Sequence, residues 1–200
     1  SSGALAVLTL GAAGSAATIV GDIDTTTSDY GQVLIAGDAT VTGDILSTGA
    51  GTITKFTADK TLTIGANNEI VDAVSTATTD TGTLTFLTAT ATDALSTATL
   101  GVTGTRLKAV NVTATETGND ASIVATLSGN VYATTITATA TADDGTNSDT
   151  IAFGGLVGAT TLNLDGAGKF TFAGDATAAI VICGDSTTTV AADKQIVGAD

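Results

Sequence analysis

The chain has 200 residues, enough for one domain or one segment of a repetitive array. Six basic residues stand against 20 acidic ones and His is absent, so the net charge of −14 excludes the basic footprint of a nucleic-acid binder and disfavours anionic membrane surfaces. Thr makes up about a fifth of the residues, Gly numbers 24, and Pro, Met and Trp are missing; with Val and Ile frequent and straight-chain helix formers scarce, the composition predicts an all-β chain with almost no helix.

Short apolar runs follow one another from the start. Residues 4–10 and 17–20 read as two strands separated by a Gly-rich turn. The polar stretch 21–31 carries Asp22, Asp24 and Asp29 and reads as a loop. Strands of two to six residues are then predicted at 32–36, 39–42 and 45–46, divided by the corners Gly37-Asp38 and Gly43-Asp44. Further runs fall at 52–57, 60–64 and 69–74. In 82–90, Leu84 and Phe86 lie on one face and Thr83 and Thr85 on the other, the alternation of a sheet with one dry and one wet side. A weaker run at 94–100 precedes 107–112, the clearest strand of the chain. Strands are also expected at 122–127, 130–133, 135–139, 151–153, 160–164, 169–172 and 178–182, with a polar loop, DDGTNSD, at 143–149.

Apolar content is 43% but aromatic content is only 4%, which makes for a thin core of Val, Ile, Leu, Ala and Thr methyl groups. Such a core suits stacked rungs. The predicted fold is a β-solenoid, parallel β-helix-like, with short strands and Gly-Asp corners; tandem β-sandwich modules are the alternative. Uneven strand spacing fixes no rung length. The sequence AGDAT at 36–40 recurs at 173–177, and ADK at 58–60 recurs at 192–194. These matches divide the chain into N-terminal strands (1–35), one long β repeat (36–172) and the start of a second copy (173–200), as if cut from an array or built to continue into a neighbour.

The segments LTIGANNEI (62–70), TGTLTF (81–86), LGVTGTRLKAVNVTA (100–114), GNVYATTIT (129–137) and ATTLNLDGAGKFTFAGDA (159–176) carry a family likeness. Their style resembles the repetitive passenger regions of rickettsial outer-membrane protein A/B-type autotransporters and of related bacterial surface-layer proteins. That resemblance implies a secreted, β-rich passenger at the cell surface, a role in layer formation or adhesion, and no enzymatic activity. The translocator barrel of such autotransporters is not visible in this sequence.

Residue chemistry points the same way. Without His, the lone Cys183 has no imidazole base; in its apolar run it reads as a small buried side chain. No segment has the length of a membrane-spanning helix, so membrane insertion is not expected. The sharpest ligand candidate is calcium at Asp143, Asp144, Asn147 and Asp149, hard oxygen donors crowded around Gly145; Asp22, Asp24 and Asp29 form a second such group. The remaining Asp residues read as turn formers. Arg106, the only Arg, and Lys108 are expected to offset Glu116 and Asp120 at the surface. The expected partners are copies of the chain itself, through exposed β edges at an extracellular or cell-surface location, with cell-surface glycans or a host receptor as the partners of an adhesin.

Overall fold

A computed structural model describes residues 6–12, 15–24, 31–46, 53–116, 122–142 and 148–198. Among these residues there is no helix, and the strands stack as a parallel β-solenoid of about eight turns. The first coil contains β1 (Ala6–Leu10), β2 (Ala17–Ile19) and β3 (Ile23–Asp24). The second contains β4 (Gly31–Ile35), β5 (Ala39–Val41) and β6 (Ile45–Leu46). β7 (Ile53–Phe56) and β8 (Thr61–Ile64) form the third, with Ile70 as a single bridge in place of a strand. β9 (Ala73–Thr76), β10 (Thr81–Phe86) and β11 (Asp93–Ser96) form the fourth.

The later coils pair one long strand with one short strand. They are β12 (Leu107–Ala114) with β13 (Val124–Leu127), β14 (Val131–Ala140) with β15 (Thr150–Phe153), β16 (Val157–Asp165) with β17 (Lys169–Phe172), and β18 (Ala176–Cys183) with β19 (Thr187–Val190). β20 (Ile196–Gly198) opens a last, partial coil.

Three parallel walls result. The widest runs β2-β5-β8-β10-β12-β14-β16-β18-β20. A second, β1-β4-β7-β9, continues through the bridges Val74 to Leu100 and Leu100 to Val131 into the start of β14. The third begins with β3 and β6 and passes through Ile70 and Ser96 into β11-β13-β15-β17-β19. The long strands therefore serve two walls. In β14 the alternation slips at Thr134 and Thr135, where the chain turns from one wall to the next. The two runs predicted at 130–133 and 135–139 are this one bent strand.

In-register parallel pairing stacks like on like. Leu62, Leu84, Val110, Ile136 and Leu162 form one core column, all fully buried. Burying each such side chain stabilises the fold by about 1.5–3 kcal/mol. On the third wall Leu127, Phe153 and Phe172 stack, and the two rings lie 4.9 Å apart at 8°, close to the strand spacing itself. Outward positions form matching polar rows: Thr18, Thr40, Thr63, Thr85, Asn111 and Thr137 follow one another up the widest wall. The expected alternation at Leu84 and Phe86 is thus the alternation of core and surface columns.

Several expected boundaries differ. The run at 69–74 yields only the Ile70 bridge, and the next strand starts at Ala73. β3, β19 and β20 lie where loops or no structure were expected; they are short and find their order through lateral pairing with a neighbouring coil. The two AGDAT copies both form corners, one between β4 and β5, the other between β17 and β18.

Candidate functional site

Of the four expected calcium ligands, Asp143, Asp144 and Asn147 lie outside the described residues. Asp149 is fully buried. Its Oδ2 accepts from the Glu116 N–H at 2.9 Å and from the Thr141 hydroxyl at 2.8 Å, and its Oδ1 accepts from the Ile123 N–H at 3.2 Å. The group ties Glu116 and Ile123 of one coil to Thr141 of the next. Of the second group, Asp29 lies outside the described residues, and Asp22 accepts from the Asp44 N–H. Among the described residues no cluster of three or more acidic or Cys side chains could hold a metal ion.

The Gly-Asp corners have a shared construction. The Asp44 N–H donates to Asp22 Oδ1 at 2.9 Å, and the Glu69 N–H donates to Asp44 Oδ1 at 2.8 Å. Thr61 N–H donates to Asp38 Oδ1, Leu156 N–H to Asn130 Oδ1 and Gln195 N–H to Asp175 Oδ1. In each case the side chain caps a backbone donor one coil further on, where the walls bend and the ladder is interrupted. Each such bond contributes about 1 kcal/mol. The Gly at the corner lets successive coils approach: a Cβ on Gly43 would overlap Asp22 Oδ1 and the Gly21 backbone. The separations are 23, 26 and 20 positions for Asp38, Asn130 and Asp175, so coil length changes along the stack.

Two core columns are open at the terminal coils: Leu8, in line with the buried Val33, is 41% exposed, and Val181, in line with the buried Leu162, is 37% exposed. Val7, Ile180 and Ile182 stand in outward rows, and β20 covers only Ala176–Ala178 of β18. Val181 continues the column of Leu162, and Cys183 that of Leu164. Cys183 is therefore exposed, contrary to the expectation of burial, because no strand lies over its end of the column.

A groove of about 320 Å³ lies on the side of the stack. It is lined by Thr103, Arg106, Tyr132, Leu156, Val157, Gly158, Asp175 and Thr177. Tyr132 pairs with Gly158 and Gly158 with Thr177 along one outward row. A Cβ on Gly158 would lie 2.7 Å from the Tyr132 ring, so the ring occupies the space a side chain there would need. Lys108 binds Asp59 at 2.7 Å and Arg106 lines the groove, while Asp120, one of the acids expected to be offset, lies outside the described residues. That ion pair has one clear effect. The hydrogen bond from Lys108 holds the Asp59 carboxyl below its usual range.

No family model, curated protein or solved structure matches the chain. The surfaces themselves therefore carry the functional reading. Exposed β edges were expected from the sequence. The groove was not legible: its residues come from four successive coils, and only the pairing register brings positions 106, 132, 158 and 177 side by side.

Proposed function

We propose that this is a non-enzymatic extracellular structural protein that stacks end to end on copies of itself, forming a filament, sheath or surface layer. The reading accords with the likeness to surface-protein passengers. One observation carries it: the coils stack in parallel register, like on like, so a coil of a second copy can extend the same columns. The column Leu8, Val33, Thr54, Val74, Leu100, Val131, Val157, Ala176, Ile196 would pass from Ile196 of one copy to Leu8 of the next. Open parallel edges and exposed core positions favour a further strand, and head-to-tail contacts of this kind do not close. The chain's net charge of −14 opposes the contact at low salt, so ionic strength should promote it.

The test uses Leu8→Cys with Ile196→Cys in a Cys183→Ser background. Oxidation should link the two across neighbouring copies and yield a covalent ladder, and electron micrographs of the unmodified chain should show rods that lengthen with salt. Chains that stay monomeric at high concentration and high salt, with no ladder, overturn the proposal.

A further inference from the structure

We propose that the lateral groove between Arg106 and Asp175 is a binding site for a neutral sugar ring. The argument is independent of end-to-end stacking, since the groove lies on the side wall.

The groove has the parts that recognition of a pyranose needs. Tyr132 supplies an aromatic surface, and the exposed Leu156 widens the apolar area. Gly158 leaves room for the Tyr132 ring to lie over it. Polar groups of both signs stand at the edges. The Arg106 guanidinium makes no ion pair or hydrogen bond among the described residues, while its backbone is pinned by Thr79 Oγ1 and the Asp80 N–H. Asp175 uses Oδ1 to cap Gln195, leaving Oδ2 for a ligand. Thr103 and Thr177 add hydroxyls.

A sugar matches this set. Its C–H face packs on an aromatic ring, and its adjacent hydroxyls both donate and accept, so one carboxyl and one guanidinium can be satisfied together. The volume is at the lower end for small-ligand sites and suits one or two rings. Neutrality follows from charge. One cation is balanced by one acid within the groove, and the chain's overall −14 repels anionic glycans from a distance.

The experiment titrates the whole chain with the methyl glycosides of glucose, galactose, mannose and N-acetylglucosamine, and with glucuronate as the charged comparison. Amide resonances report the outcome. At least one neutral glycoside should shift Gly158 and Thr177 saturably, with millimolar affinity. Arg106→Ala and Asp175→Asn should each weaken binding about tenfold, and Tyr132→Leu more, with melting temperature as the check on folding. Thr83→Ala, on the outer row of another wall, should change nothing. The proposal is overturned if no neutral glycoside shifts those amides, if glucuronate binds more tightly, or if binding survives all three groove substitutions. Loss of rods with sugar binding intact, or the reverse, separates this site from end-to-end stacking.

Discussion

Replacing Asp149 by Ala tests whether the buried carboxyl is a structural clasp. The substitution leaves the N–H groups of Glu116 and Ile123 without their acceptor and frees the Thr141 hydroxyl. A buried donor left unsatisfied costs about 1–3 kcal/mol, so two of them cost about 3 kcal/mol after some relaxation. In a stack whose coils touch only their neighbours, the damage should be local. Amide hydrogen exchange is the suitable assay. At about 1.4 kcal/mol per tenfold, Glu116 and Ile123 should exchange about a hundredfold faster, while Val110 and Ile136 stay protected. Asp149→Asn keeps the acceptor for Ile123 but sets an amide donor against Glu116, and should lose about half as much. Unchanged exchange in Asp149→Ala refutes the clasp. So does faster exchange of the parent chain in EDTA that the variant does not share, which would place a cation at Asp149 instead.

Three other outcomes follow from particular contacts. Thr54 is fully buried between Val33 and Val74, and its hydroxyl has no partner among the described residues, so Thr54→Val should raise stability by about 1 kcal/mol in urea unfolding. Gly82 has φ +80° and lies against the Phe56 ring; Gly82→Ala should lower stability by about 1–3 kcal/mol through backbone strain alone, and by more if the ring is displaced. Because the folded pKa of Asp59 is depressed, its pairing with Lys108 supports the fold above the unfolded carboxyl pKa, and that support fades as pH falls through the folded value. Carboxyl-carbon titration should therefore give Asp59 a lower midpoint in the parent chain than in Lys108→Ala, and the two chains should converge in stability at low pH.

The all-β class and the solenoid were legible because alternation is local: Leu84 and Phe86 against Thr83 and Thr85 state the pleat within four residues. What escaped was set by lateral pairing. Ile23 and Asp24 form a strand only because Ile45 and Leu46 lie beside them. Cys183 is apolar in context but exposed, since its burial depends on a strand that would have to come from outside its own coil. Asp residues at corners were recognisable as turn formers, yet their bonding partners sit a coil away, and a coil length that varies from one turn to the next hides the spacing from any fixed-period search. The same variation kept Arg106, Tyr132 and Asp175 apart on the page.

The corner clasp at Asp149 has a consequence for how such a molecule accommodates change. On either side of the clasp the register is kept: Ala114 pairs with Ala140 and Val124 with Thr150. Extra length at a corner adds to girth and leaves the axial pitch untouched. Outward side chains of successive coils are thus held at heights that differ by one strand spacing, ~4.8 Å. The solenoid behaves as a graduated ruler, on which any outward feature has an address set by its coil number.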